Sequence, residues 1–384
     1  MKFIIGKEIL LKNIVFTTLI MSSCVSNEKI DRTGLNEYTF EEKEDKIFQI
    51  DETISQATSY IQIKDDLMLF FNKPGHNICV FDIPSTKMVK KIQLHKDGPN
   101  HVYGIQGFYY ETNDSIWLYN SWLSTFVLVD SLGYVNSKFV LDENKSIDTQ
   151  YYSASPMPLT DMPIEKIKNT FILQGMNGPS VETGNIPAAT VMYNIESDSY
   201  SIVNPYPDVY GDGREINKKW DTFSYRAVPY TIGQKNIIVS SFPADDNIQI
   251  YDNNEKSNKK NFAVYSEKTN IKPSNGNTID SYLKDYLEQY QYAGIFYDKY
   301  NNLYYRIVLL PLSEYDIKDR STQYKNLSIV ILDSLFNKVG EHNLKYQKYV
   351  YRNTFVSTEG LHINIVSEDD DYFKFITLKP KKIL

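Results

Sequence analysis

Six times along this chain the same two-part phrase returns: an apolar run behind a turn, then a second apolar run. The second run closes in Asp or Asn or lies at the chain end. The pairs are DDLMLFFN with ICVFDI, DSIWLYN with TFVLVDS, NTFILQG with TVMYNIE, NIIVSSF with NIQIYDN, LYYRIVLL with SIVILDS, and LHINIVS with YFKFITL. A unit of this kind cannot bury its own apolar faces, so successive copies must pack on one another. Short apolar and aromatic runs between Gly, Asn, Asp and Pro read as strands. The 31 tyrosines suit broad, half-buried β surfaces.

The expected fold is all-β, a six-bladed β-propeller with four-stranded blades. The sixth copy supplies only Asn353–Ser357, Leu361–Val366 and Tyr372–Leu378 before the chain ends. Spare strand-like residues, Tyr38–Glu42 and Lys46–Ile50, precede the first copy. An N-terminal strand completing the sixth blade closes the ring and hides a sheet edge. A β-sandwich or two unrelated β-domains would not repeat the paired run six times. The third copy starts weakly, where Pro156, Pro158 and Pro163 crowd the segment. The fourth is expected to begin at Phe223–Thr231 and end at Asn261–Tyr265. Within residues 278–291, Ile279, Leu283 and Leu287 recur at a spacing of four, predicting one short helix with Asn277 or Thr278 as cap.

The first residues form a separate unit. Lys2, Lys7 and Lys12 precede a short apolar core, Ile14 to Met21, and then Ser22, Ser23 and Cys24. That core is too short to span a bilayer and fits a signal peptide. Small residues before Cys24 resemble a lipobox, which predicts a lipoprotein signal peptide over 1–23, lipidation of Cys24 and a flexible tether over 24–37. The propeller domain then covers 38–384. A plain secretory signal is the competing reading. Cys79 is left without a disulfide partner and reads as a small buried hydrophobe.

Chemistry is scarce. The formal net charge is -7, and Lys and Arg form no basic stripe, which argues against nucleic acid. The five histidines show no H-E-x-x-H spacing, and no G-x-S-x-G elbow occurs. DVYGDG (208–213) has Tyr210 where a calcium loop needs a ligand, and reads as a turn. No cofactor or metal is expected. In a propeller, the links between blades and the turns between each blade's second and third strands share one rim. That topology gathers the candidate funnel residues Asn100, His101, Tyr103, Trp122, Tyr225, Arg226, Tyr351 and Arg352, with His76, Asn177, Trp220, Asp245, Asp246 and Arg320 near them. Arg226 and Arg352 could each hold a carboxylate or phosphate. The favoured reading is a structural pair with a neighbouring blade's Asp.

The lipobox-like Cys24, the six copies and the segment DGPNHVYG (97–104) carry a resemblance. The chain resembles a family of bacterial lipoproteins with a TolB-like six-bladed β-propeller domain of unknown function. Gly98, Pro99 and Asn100 match a Gly-Pro-Asn turn into the second blade, where His101 stands in place of the usual Gly. The resemblance implies the fold and a location in the cell envelope, lipid-anchored at the outer membrane, and no activity. The expected role is a binding scaffold for a peptide, an envelope protein or a glycan, held to the lipid bilayer by Cys24. The alternative is an extracellular enzyme acting on a glycan or other polymer, its site at the central funnel.

Overall fold

In the computed structural model, residues 37–56, 58, 60–141, 156–175, 188–211, 220, 227–267, 271–273 and 278–383 are described. The signal segment and Cys24, with Asn177, Tyr225 and Arg226, lie outside the described residues. The fold is all-β and propeller-like, with one short α-helix.

Four antiparallel sheets of four strands follow in chain order. The first holds β2 (Ile61–Lys64), β3 (Leu67–Asn72), β4 (Asn77–Asp82) and β5 (Met88–Gln93). The second holds β6 (Ile105–Thr112), β7 (Ser115–Asn120), β8 (Thr125–Val129) and β9 (Val135–Val140). The third comprises β10 (Glu165–Ile167), β11 (Thr170–Gln174), β12 (Ala188–Asn194) and β13 (Ser199–Pro205). The fourth comprises β14 (Tyr230–Ile232), β15 (Ile238–Ser241), β16 (Asn247–Asp252) and β17 (Ser257–Phe262).

The expected fifth and sixth sheets are one. β18 (Gln291–Asp298), β19 (Leu303–Leu309), β20 (Leu327–Leu332) and β21 (Lys338–Asn343) join β22 (Tyr349–Ser357), β23 (Gly360–Ile365) and β24 (Tyr372–Lys382) in an eight-stranded sheet. The joint is β1 (Tyr38–Gln49), which pairs antiparallel with β24 from Tyr38↔Lys382 to Gln49↔Tyr372 and meets β21 at a single parallel bridge, Tyr38↔Gly340. The bridge requires glycine, since a Cβ on Gly340 would stand 2.1 Å from the Tyr38 carbonyl oxygen. The two pieces expected from Tyr38 to Ile50 are one strand, whose register shifts between Lys43 and Lys46.

In the fourth sheet the last strand lies earlier than expected, for a physical reason. The outermost strand of a sheet faces water and carries few apolar residues, so an apolar-run criterion passes over it. β17 is SNKKNF, mostly exposed, and precedes the run expected at Asn261–Tyr265. The expected start at Phe223 is not where β14 begins, and 223–226 lie outside the described residues.

Between neighbouring sheets lie apolar layers. Phe48, Phe70, Phe81, Phe355, Phe373 and Phe375 form the layer where the first and last sheets meet, with edge-to-face contacts such as Phe48–Phe375 at 5.7 Å. Trp117, Phe126 and Phe171 join the second and third sheets. Cys79 is buried, and burial pushes its thiol up to about 12, so it behaves as a packed hydrophobe. Buried Arg306 ties the fourth sheet to the eight-stranded one. Its guanidinium donates to the carbonyls of Asp246 (2.9 Å), Ala263 (3.0 Å) and Asp245 (2.6 Å) and lies 3.6 Å over the Tyr292 ring.

The helix, α1 (Ile279–Glu288), starts at a capping box in which Thr278 and Ser281 exchange side-chain bonds. Its C-terminal carbonyls are met by buried Lys325, whose ammonium donates to Tyr286 O at 2.6 Å. Leu287 is buried, but Ile279 is exposed, so the expected apolar face is only partly used. No described helix is long and apolar enough to cross a membrane.

Phe48 is the buried anchor of β1. Phe48→Ala is expected to cost about 3–5 kcal/mol in urea unfolding. An unchanged midpoint would contradict a stabilising role for β1.

Candidate functional site

The middle of the ring is occupied by the chain itself. The segment Pro158–Ile164 leads into β10 and lies against β2, β6, β14, β18 and β22. Thr160 Oγ1 accepts from Ile61 N on β2 at 2.9 Å and meets Asn353 Oδ1 on β22 at 3.1 Å. Asp161 O accepts from Tyr230 N on β14 at 3.2 Å. A Cβ on Gly107 of β6 would stand 2.5 Å from Pro158 Cγ, and one on Gly294 of β18 would stand 3.5 Å from Asp161 Cβ. Tyr60 OH accepts from Ile164 N at 3.1 Å and donates to Phe108 O at 2.6 Å. Met162 and Ile164 are fully buried. Pro158 and Pro163, two of the prolines that weaken the third copy in the sequence, therefore belong to a plug, and β10 begins only after it.

Arg352 is committed to this plug. Its Nη1 bonds Asp161 Oδ2 at 3.1 Å and Oδ1 at 3.4 Å, and Asp161 is 1% exposed. Burial pushes the Asp161 carboxyl up, against the pull of Arg352. Burial alone would lower the guanidinium, but Tyr351 and Asp161 beside it hold it above its ordinary value. Tyr351 packs on the core of the eight-stranded sheet, its ring 5.3 Å from the guanidinium carbon. Arg352 pairs with an Asp, but that Asp lies in the plug and not in a blade next to β22.

Sequence reasoning missed a second group, Glu165, on the first residue of β10. Its carboxyl keeps some solvent contact while protein crowds it closely, and burial pushes it up to about 7, with Lys64 pulling the other way. Burial likewise raises the Tyr109 phenol to about 12, Glu165 adding to the effect. The only hint in the sequence was the proline break just before it.

The remaining candidates meet where the first two sheets join. The β3–β4 turn carries His76, and the β5–β6 link carries His95, Asn100, His101 and Tyr103. His76 Nε2 donates to His95 O at 3.2 Å, and the His76 and His101 ring centroids are 6.1 Å apart. Burial lowers the His76 imidazole. His101 then lies 5.6 Å from the Tyr103 ring. Asn100 is a turn residue, its Oδ1 accepting from Val135 N at 3.1 Å.

Buried Asn120 binds the next loop to this link. Its Nδ2 donates to Tyr103 O at 2.7 Å, and its Oδ1 accepts from Trp122 N at 2.9 Å and Leu123 N at 3.1 Å. Trp122 is 82% exposed and Tyr103 53%. Elsewhere the candidates separate. Trp220 is buried against Tyr210, Asp245 and Asp246 serve the turn around Arg306, and Arg320 is an exposed turn residue. Among the described residues, no three His, Cys, Asp or Glu side chains converge as a metal ion would need.

A family model described as a domain of unknown function (DUF4221) matches residues 37–343. The chain belongs to the DUF4221 family. Among solved structures it is similar to a DUF4221 member from Bacteroides vulgatus, 20% identical, with 91% of this chain and 99% of that one covered at a TM-score of 0.74. A candidate exported protein from Bacteroides fragilis is 10% identical, with 91% and 98% covered at a TM-score of 0.55. These likenesses carry the fold. No curated protein matches the chain.

The folded Glu165 carboxyl titrates near 7 against an ordinary 4.5, so the folded state holds its proton more tightly between those values. Stability is expected to fall as pH rises through that window, by on the order of 1–3 kcal/mol. Glu165→Gln should flatten the slope in urea unfolding across the same range. An unchanged slope would contradict this account of Glu165.

Proposed function

We propose that this chain is a lipid-anchored binding scaffold of the cell envelope, a six-bladed TolB-like β-propeller that presents its ligand face on the rim. The blade count rests on the eight-stranded sheet dividing into two four-stranded halves, β18–β21 and β22–β24 with β1, joined by one bridge. The anchor rests on the short apolar core ending at Cys24. The name of the Bacteroides fragilis neighbour, as a candidate exported protein, is consistent with export.

One observation supports the location proposed for the binding face. The plug fills the centre and takes up Arg352, while Tyr103 and Trp122 stand exposed on backbone that Asn120 holds fixed. Exposed aromatic side chains on rigid backbone are suited to docking. A second reading, an enzyme acting on a polymer, draws on Glu165, Tyr109 and Lys64. A carboxyl near 7 could serve as a general acid.

Two measurements test the proposal. Cys24→Ser should move the protein from the membrane fraction to the soluble one, and continued membrane retention would defeat the anchor. For the binding face, the full chain is screened against envelope peptides and glycans. Trp122→Ala should abolish a hit that Glu165→Gln leaves intact, and the reverse pattern would favour the enzyme.

A further inference from the structure

The rim aromatics have chemistry specific enough to name a ligand class. Of the three tryptophans, Trp117 and Trp220 are buried at 5% and 1% exposure, and only Trp122 lies open. It sits in the tight β7–β8 turn, where Ser124 adopts a positive φ of 45°. Asn120, 3% exposed, bonds both this turn and the Tyr103 carbonyl. At the next residue, Gly104 has φ +63°, and a Cβ there would stand 2.9 Å from Asn120 Nδ2, so the link is fixed on both sides. The Trp122 and Tyr103 side chains thus project from two backbone segments that share buried Asn120 as a bonding partner. A rigid aromatic group loses little conformational entropy on binding.

Charge and size then select the occupant. Residues 98–110 and 115–129 contain no Asp, Glu, Lys or Arg. An acidic or basic peptide, a phosphate or an anionic headgroup would find no counter-charge on these segments, and Lys96 and Asp97 just before them carry opposite signs. The exposed apolar surface here comprises Tyr103, Trp122, Leu123 and Val140, which pairs with Thr125 at the end of the turn. Four side chains offer far less than the roughly 800 Å² per partner of a stable protein interface. A neutral ligand with flat apolar faces and hydroxyl edges meets both conditions. Beside Tyr103, the His101 ring has nitrogens that make no hydrogen bond within the described protein, and these can serve such hydroxyls.

We infer that Tyr103 and Trp122 form a stacking platform for a neutral saccharide, with His101 as its polar contact. This rests on the rim reading above and adds the ligand class to it.

The test uses the full chain in detergent micelles, titrated with neutral hexasaccharides of glucose, mannose or galactose. The readout is tryptophan fluorescence and its quenching by acrylamide, to which the buried Trp117 and Trp220 contribute little. At least one sugar should shield Trp122. Trp122→Ala and Tyr103→Ala should each weaken that sugar's affinity by about 10-fold or more. Trp122→Phe, which keeps a ring, should retain most of it, and Glu165→Gln should leave it unchanged. If no hexasaccharide shields Trp122 but envelope-derived peptides do, the saccharide inference falls and the rim reading stands. If a sugar binds with equal affinity to Trp122→Ala and Tyr103→Ala, or nothing binds at the rim, both fall.

Discussion

The antiparallel pairing of β1 with β24 joins the two ends of the described chain, and the rest of the molecule depends on it. Each sheet has two apolar faces, and every face must find a neighbour. A row of such sheets leaves two faces and one strand edge uncovered unless its ends meet. β1 supplies Phe40 to the layer within the eight-stranded sheet and Phe48 to the layer against the first sheet, so one strand completes two layers. It also covers the free edge of β24 along almost its whole length.

Closing a ring creates a centre, and the centre has its own energetic problem. Gly107 on β6 and Gly294 on β18 leave room beside the plug, where an added Cβ would meet Pro158 or stand against Asp161. The proline-containing segment before β10 fills this space. It brings Asp161 into full burial, which is costly for a carboxylate unless a cation meets it, and Arg352 does so from β22. The clamp has a functional consequence. Arg352 is engaged by Asp161, and the proposed function accordingly sets recognition at the His101, Tyr103 and Trp122 rim.

Much of the architecture was legible because burial writes itself into strand periodicity. β11, with its TFILQ run, and β20, with LSIVIL, stand where the sequence placed them, and the spare N-terminal strand does pair with the last one. The polar outer strand β17 and the short β10 were obscured, since neither has an apolar run to betray it. Arg306 was also overlooked. A charge inside LYYRIVLL reads as an interruption, and only the folded chain reveals the carbonyls that surround it. For the site, His76, His101 and Tyr103 lie close together, and Asn120 bonds the backbone of the Trp122 turn to the same link. The topology rule could not foresee the plug, because a segment lacking regular structure leaves no periodic trace. Arg352 was read as a candidate funnel residue with an Asp pair favoured, and the Asp it meets, Asp161, lies in that plug.

The claim that the ring is sealed at its centre is tested most directly by native-state hydrogen exchange at Met162 and Ile164. Both amides are buried and bonded, to Leu159 O and to the Tyr60 hydroxyl. A sealed centre predicts that they exchange only with global unfolding, as slowly as the core strand β20. Exchange as fast as that of the exposed turn at Arg320–Thr322 would mean that the plug opens on its own and that the central channel is available to ligands.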